Sequence, residues 1–332
     1  MTLAGCGQCA RRPSWLGLLL LAAAMALAWR PAVADEGGAS VWLPGTFGSL
    51  VATPVSPGWS LPLVYYHASQ DANGTKEFPI GGRIAAGVDV RSDLLLASPT
   101  YAFREPVLGG QLALSVTALL GDIRVSADAT LAGPGGNALT RSESDSTTGG
   151  GDLFPQATLR WNRGNHNFMA YAMADVPVGA YEEGRLANIG LNHWAIDGGG
   201  GYTYLDEKTG REFSIAAGMT HNFENPATDY RNGVDFHLGW GLSQFLSPKL
   251  QAGLAGYWYQ QITGDSGAGA VLGPFKSRVG GIGPQVGYLF NADGRQWYVN
   301  LKGYWEFEAR NRPSGWNLWM TCVVPLSKSP AP

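Results

Sequence analysis

The stretch Gln296-Trp-Tyr-Val-Asn-Leu-Lys-Gly-Tyr-Trp-Glu-Phe-Glu308 alternates between apolar and polar residues. One set of alternate positions is apolar, with tryptophans toward both ends: Trp297, Val299, Leu301, Gly303, Trp305 and Phe307. The other set is polar or charged: Tyr298, Asn300, Lys302, Tyr304, Glu306 and Glu308. A period of two predicts a β-strand whose two faces meet different environments.

The same alternation recurs along most of the chain. The predicted strands are 59–68, 80–91, 94–103, 108–121, 123–132, 153–163, 165–177, 192–205, 211–223, 234–246, 249–262, 278–290, 296–308 and 316–326. The pattern is weak in 94–103 and 123–132, so we expect about 14 antiparallel strands, with 12 as the alternative.

The lengths of the connections indicate how these strands are arranged. Tight turns rich in Gly, Asn, Asp and Pro are predicted at 91–93, 121–122, 163–165, 206–210, 247–249 and 291–295. The intervening loops are mostly longer: 69–79, 104–107, 133–152, 178–191, 224–233, 264–276 and 309–315. This alternation predicts an all-β transmembrane barrel with short periplasmic turns and longer extracellular loops. A soluble β-sandwich or lectin-like domain, the alternative, requires neither asymmetric loops nor tryptophans at strand ends.

The N-terminus has the features of a secretory signal. Arg11 and Arg12 precede an apolar core, and Ala32-Val-Ala34 forms a cleavage site, so residues 1–34 are predicted to be a signal peptide. An uncleaved anchor is the alternative. We expect the mature barrel in the outer membrane of a Gram-negative bacterium, in contact with outer-membrane lipid and inserted by the barrel-assembly machinery.

Charge and cysteine content exclude several classes of protein. Without residues 1–34 the chain retains 20 basic and 26 acidic side chains, a net charge of −6 that disfavours nucleic-acid binding. Cys322 alone remains, so no internal disulfide or cysteine metal site is expected.

Motifs of common enzymes are also missing. There is no Gly-x-Ser-x-Gly, phosphate loop or His-Glu-x-x-His. No two of the five histidines have metal-ligand spacing, so we expect no metal, no cofactor and no catalytic residues. His67-Ala-Ser69 resembles the start of an outer-membrane hydrolase site, but it has no evident third member.

Residues 35–58 are rich in Gly and Pro yet carry large apolar side chains, including Trp42 and Phe47. They cannot form a regular strand throughout, and they are too apolar for a free tail. We expect a folded segment that plugs the lumen or, equally, packs beneath the barrel. The barrel itself would span 59–326, followed by a short tail at 327–332.

Two groups of side chains are predicted to face the lumen. The charged group comprises Arg83, Asp89, Arg91, Arg160, Asp175, Asp235, His237, Lys302, Glu306 and Glu308. These residues either solvate the interior and pair across strands or act on a solute. The second group comprises Met169, Tyr171, Met173, Tyr257, Tyr259, Tyr298 and Tyr304. Such a lining suits a path for apolar or aromatic solutes, although packing around a plug would also explain it.

Several short motifs resemble the outer-membrane family named for the meta-cleavage pathway of phenol degradation. They are Glu36-Gly-Gly38, Trp42-Leu-Pro-Gly45, Phe47-Gly-Ser-Leu50, Pro57-Gly-Trp59, Tyr65-Tyr66 and Gly315-Trp-Asn317. The resemblance covers nearly all of the mature chain. It implies a β-barrel that transports small hydrophobic or aromatic compounds. The alternatives are a structural or adhesive barrel acting through its loops and, third, an outer-membrane lipid-modifying enzyme.

Overall fold

The computed structural model describes residues 40–80, 83–132, 138–270 and 273–327, with side chains for 40–72, 87–128, 142–270 and 273–327. The predicted signal peptide, residues 35–39 and most of the predicted tail lie outside these ranges. No helix within them is long and apolar enough to cross a membrane.

The described chain contains thirteen strands. Their bounds are β1 Gly58–Ile80, β2 Arg83–Ala97, β3 Thr100–Ala102, β4 Gln111–Ala132, β5 Ala138–Arg163, β6 His166–Asp175, β7 Ala195–Asp206, β8 Arg211–Asn222, β9 Asp235–Phe245, β10 Leu250–Gln261, β11 Arg278–Ala292, β12 Arg295–Arg310 and β13 Ser314–Pro325.

These strands close into one antiparallel barrel. Each long strand pairs with the next, and β13 returns to β1 through the pairing of Leu61 with Val324. The three-residue β3 lies between β1 and β4, in line with β2 beyond Ser98 and Pro99. The wall described therefore has twelve long strands, which confirms the predicted antiparallel barrel and the lower of the two predicted counts.

Two of the predicted turns are wrong. Residues 91–93 lie within β2 and residues 121–122 within β4. The predicted strands 108–121 and 123–132 are therefore one strand, β4, and the predicted strand 80–91 continues through Ala97 in β2, because turn-forming residue types also fit an exposed strand face. The predicted loop 69–79 is likewise part of β1, and most of 133–152 belongs to β5.

Most short and long connections lie at opposite ends of the barrel, as predicted, but the predicted loop 309–315 is reduced to residues 311–313 between β12 and β13. The long loops described at one end are 176–194, 223–234 and 262–277. The opposite end carries short turns such as Asp293-Gly294, whose φ angles of 52° and 69° suit a two-residue hairpin turn. Residues 104–107, expected among the long loops, lie at this short-turn end, where Val107 pairs with Gly110.

The outward face of the wall carries an apolar band. Trp59, Leu120, Trp305, Trp316 and Met320 point outward, and each is 44–64% exposed in the isolated chain. Bands of this kind, with tryptophans toward the edges, match the lipid contact of an outer-membrane barrel.

Strands β1, β2, β4 and β5 reach beyond this band at the long-loop end, where the polarity of the two faces reverses. Val88 and Val125 point inward and are buried against Ala187 of the 176–194 loop, whereas Asp89 and Arg124 point outward and are exposed. Outside the membrane the outer environment is water, so the apolar side chains of these strands pack inward.

Candidate functional site: the barrel lumen

Residues 40–57, here called the N-terminal segment, lie inside the barrel. Val55, near the short-turn end, exchanges two hydrogen bonds with the Gln111 side chain at 2.9 and 2.8 Å. The chain then passes Thr203, whose hydroxyl accepts a bond from the Ala52 N–H at 3.1 Å. It reaches Trp42, which is 2% exposed and stacked on His237. The segment thus occupies the lumen from the short-turn end inward.

Glycines of β9 provide the space for this segment. A Cβ atom at Gly239 would lie 2.8 Å from Cβ of Phe47, and one at Gly241 would lie 2.5 Å from Oγ of Ser49. Both glycines occupy inward positions of β9, where a larger side chain would project into the lumen. Larger residues at these two positions would displace the segment rather than disturb the strand.

Glu212 anchors the middle of the segment. Its buried carboxylate accepts hydrogen bonds from Ser49 Oγ at 2.7 Å, the Leu50 N–H at 3.0 Å and Ser214 Oγ at 2.5 Å, and also from Ser243 Oγ. A carboxylate that collects four donors forms a strong and geometrically specific anchor. It also satisfies backbone groups that the irregular segment cannot pair within itself.

The inner end of the segment is held by a cluster of aromatic rings and hydrogen bonds. The Trp42 ring stacks on the His237 imidazole with centroids 4.3 Å apart, and Phe47 meets Tyr171 edge to face at 5.3 Å. His237 Nε2 donates to Asp197 Oδ2 at 2.7 Å, and both side chains are fully buried. The carboxylate therefore fixes the imidazole ring on which Trp42 rests.

Lys302 of β12 holds the segment from the opposite wall. Its ammonium group donates to the Gly45 carbonyl oxygen at 2.7 Å and lies 5.3 Å from the centre of the Trp319 ring. The side chain is only 6% exposed. A buried cation whose strongest contact is a backbone carbonyl depends on the segment for its hydrogen bonding.

Toward the long-loop end the lumen is lined by tyrosines bonded to carboxylates. Tyr257 donates to Glu306 at 2.7 Å, and Tyr259 donates to Asp235 at 2.8 Å. The Arg312 guanidinium lies over the Tyr259 ring at 5.1 Å. Each ring thus presents an apolar face while its hydroxyl is satisfied.

The long loops cover this end of the lumen. Asp152 of β5 accepts bonds from Gly179 and Leu191 of the 176–194 loop at 2.7 and 2.6 Å. In the 262–277 loop, Asp265 accepts a bond from the Gly233 N–H at 3.2 Å, which joins two loops. Burial raises the pKa of the Asp265 carboxyl. These contacts tie the long loops to the wall and to each other.

Most of the predicted lumen residues lie on inward positions in the structure. They are Arg160, Met169, Tyr171, Met173, Asp175, Asp235, His237, Tyr257, Tyr259, Tyr298, Lys302, Tyr304 and Glu306. Glu308, at the long-loop end of β12, is exposed and pairs with Arg278 at 3.0 Å. The backbone of Arg83 belongs to β2, but its side chain lies outside the described ones.

The prediction that Asp89 and Arg91 face the lumen is wrong. Both side chains point outward and are exposed, while their neighbours Val88 and Val90 point inward. The prediction assumed that the outer face is always the apolar one. These residues lie where the strands extend beyond the apolar band, and there the rule reverses.

Sequence reasoning missed several inward residues that contact the N-terminal segment: Glu212, Ser243, Gln285 and Trp319. Their inward parity follows from the same alternation that identified Lys302. The alternation cannot show which residue of the N-terminal segment each of them contacts. Glu212 and its partner Ser49, for example, are 163 residues apart in the chain.

The described residues do not assemble a hydrolase site around His67. Its Nδ1 lies 2.8 Å from Asp93 Oδ1, but no hydrogen bond joins it to Ser69. Within the part of the chain that the structure describes, no group of three or more acidic, histidine or cysteine side chains is placed to hold a metal ion.

Comparison with known proteins agrees with this architecture. Residues 74–322 match the family described as the MetA-pathway of phenol degradation. The chain belongs to this family. A search of curated proteins finds no match.

Among solved structures, an outer membrane channel from Pseudomonas putida F1 superimposes with a TM-score of 0.60 at 15% identity, covering 83% of this chain and 98% of that one. A Pseudomonas aeruginosa FadL homologue gives a TM-score of 0.39 at 8% identity, over 81% and 90% of the two chains. The CymD monoaromatic hydrocarbon channel gives 0.37 at 8% identity, over 83% and 90%. The first of these likenesses shows a shared outer-membrane barrel fold.

Proposed function

We propose that this barrel is an outer-membrane channel for small hydrophobic or aromatic molecules. The observation that carries the proposal is the lining of the lumen. Met169, Tyr171, Tyr257, Tyr259 and Tyr304 are each at most 6% exposed and line the interior with thioether and aromatic surface. A pore for ions or sugars has no need of such a surface, whereas a solute with an apolar ring gains contact area against it.

The family supports the same solute class. Its description links these barrels to phenol degradation, which supplies a reason for aromatic compounds to cross the outer membrane. The similar barrel from Pseudomonas putida F1 is described as an outer membrane channel. Neither determines the solute of this chain, so the proposal depends on its own lining residues.

In this account the N-terminal segment controls passage. It occupies the lumen through contacts with Glu212, His237 and Lys302, so a solute must pass while the segment shifts. Aromatic contacts such as Trp42 on His237 can be exchanged for contacts with an aromatic solute. A sugar has no aromatic ring with which to replace these contacts. The channel therefore favours apolar solutes.

Flux into liposomes tests the proposal. Purified protein is reconstituted, and entry of benzenesulfonate is compared with that of gluconate, two organic anions that empty liposomes scarcely admit. The proposal predicts protein-dependent entry of the aromatic anion that clearly exceeds that of the sugar acid. Equal entry of both solutes would contradict the solute class, and no protein-dependent entry of either would contradict the channel.

A further inference from the structure

Trp42 is held in the lumen differently from the middle of the N-terminal segment. The middle is held by hydrogen bonds, from Lys302 to the Gly45 carbonyl oxygen and from the Leu50 N–H to Glu212. The Trp42 indole is 2% exposed, yet its Nε1 has no hydrogen-bond partner among the described residues. Packing between rings therefore holds this side chain in place.

His237 offers the Trp42 ring a flat surface that belongs to the wall. The two ring centroids are 4.3 Å apart, with 10° between the ring planes. Asp197 Oδ2 accepts hydrogen bonds from His237 Nε2 at 2.7 Å and from the Thr220 hydroxyl at 2.5 Å. Behind the imidazole, a Cβ atom at Gly218 would lie 2.7 Å from His237 Cε1, so the glycine leaves room for the ring. The wall thus fixes the imidazole without help from the segment.

Two more rings lie beside the indole. The Phe47 ring centroid is 6.0 Å from that of Trp42, and Phe47 packs edge to face on Tyr171. Stacked and edge-to-face arrangements of aromatic rings are favourable beyond the burial of apolar area. A planar aromatic ring in the place of the indole would gain such contacts, whereas an aliphatic ring of the same size would gain burial only.

The position of Trp42 makes it the first part of the segment that an incoming solute meets. His237 is the third residue of β9, counted from the long-loop end of the strand. The anchors at Gly45 and Leu50 follow Trp42 toward the short-turn end. Since the indole N–H makes no hydrogen bond, another ring can take its place without breaking one.

We propose that the face of His237 binds an aromatic ring of the solute and that Trp42 occupies this site when no solute is present. The ligand is a planar aromatic ring no larger than an indole. A solute ring displaces Trp42 first, and the hydrogen-bonded part of the segment moves afterwards. The role of the site in transport rests on the proposed channel function, but ring binding is measured without transport.

Fluorine NMR of the purified barrel in detergent, with fluoroindole as the probe, tests the site. Trp42→Gly leaves an indole-sized space, and a cavity of this kind takes up an aromatic ligand of matching shape. In the wild type the site is open only in the molecules whose Trp42 is displaced, and apparent affinity falls by that fraction. An open state of at most about 10% predicts that Trp42→Gly binds fluoroindole about tenfold or more tightly than the wild type.

Three further variants separate the site from general effects. Trp42→Phe keeps a ring over His237 and should bind the probe much more weakly than Trp42→Gly. Adding His237→Ala to Trp42→Gly should remove most of the gain. The matched control is Trp305→Gly, which removes the same side chain from the outer face and should bind like the wild type. A heat-dependent shift on detergent gels shows that each variant is folded.

Competition between two alcohols tests the class of ligand. Benzyl alcohol should displace fluoroindole from Trp42→Gly. Cyclohexylmethanol has a similar size but no aromatic ring, and it should displace the probe several-fold less well because it cannot stack on His237.

Three outcomes would overturn the proposal. The first is equal binding of fluoroindole by the wild type and Trp42→Gly. The second is a gain in binding that persists without His237. The third is equal displacement by the two alcohols, which would show an apolar cavity with no preference for aromatic rings. Binding that depends on His237 in a barrel without benzenesulfonate flux would support this site and reject the proposed channel.

Discussion

Lys302 on β12 donates a hydrogen bond from Nζ to the carbonyl oxygen of Gly45 at 2.7 Å, and this contact joins the barrel wall to the segment inside it. On the same side of the barrel, Gln285 of β11 donates to Ser49 at 2.7 Å. Glu212 holds the segment from the opposite side. The segment is thus fastened at separate points that can be tested one at a time.

Replacing Lys302 with leucine should loosen the segment and raise ion conductance in planar bilayers. Losing a hydrogen bond from a charged group costs about 1.5–3 kcal/mol, so the population with a displaced segment should rise about tenfold or more. Lys249→Leu, in an exposed turn, is the matched control. Unchanged conductance in Lys302→Leu would show that this bond does not restrain the segment.

The two faces of β12 should respond in opposite ways to substitution. Leu301 points outward and is 41% exposed in the isolated chain, whereas Lys302 points inward. A lysine on the lipid face costs about 2–4 kcal/mol near the midplane, so Leu301→Lys should hinder assembly. Lys302→Leu should assemble normally. Heat-dependent mobility on detergent gels measures both, and normal assembly of Leu301→Lys would contradict the register.

Cys322 should react with apolar but not with charged maleimides in the folded protein. It is paired in register with the outward residue Val299 and alternates with outward Met320. Its thiol therefore faces lipid, where a charged reagent does not enter. Reaction is followed by intact-protein mass spectrometry, with unfolded protein as the control for thiol reactivity. Rapid labelling by a charged reagent would place the thiol in the lumen.

Tyr304→Asp should reduce the flux of an aromatic solute more than that of a sugar of similar size. The Tyr304 ring is 1% exposed and packs edge to face on Tyr257 with centroids 5.0 Å apart. An aspartate removes this apolar surface while keeping the strand in place. Liposome flux gives both rates in one preparation. An equal loss for both solutes would mean that Tyr304 only packs the interior or obstructs a general pore.

Much of the barrel could be predicted from alternation alone, because lipid outside and polar groups inside impose opposite chemistry on the two faces of each strand. Alternation alone predicts that Lys302, Tyr257 and His237 point inward. The same rule failed at Asp89 and Arg91, where the strands leave the lipid. The polarity of alternate side chains indicates which environment each face of a strand meets. It shows whether a side chain points into or out of the barrel only where it is known whether lipid or water surrounds that part of the strand.

The contacts between the N-terminal segment and the wall could not be predicted from the sequence. Trp42 and His237 are far apart in the chain, and no local pattern pairs them. The composition of residues 35–58 showed that the segment must be covered, but a site beneath the barrel would cover it equally well. The inward glycines Gly239 and Gly241 are the one signal that could have indicated a chain packed against β9, since they leave room at otherwise filled positions.

A disulfide between the segment and the wall tests most directly whether passage requires the segment to move. Ser49 and Ser243 have their Oγ atoms 2.8 Å apart, so cysteines at both positions, with Cys322→Ser, should bond on oxidation. We predict that oxidation strongly reduces benzenesulfonate flux into liposomes and that a reducing agent restores it, while the Cys322→Ser barrel alone responds to neither. Equal flux through the fully oxidised and the reduced forms would contradict the account.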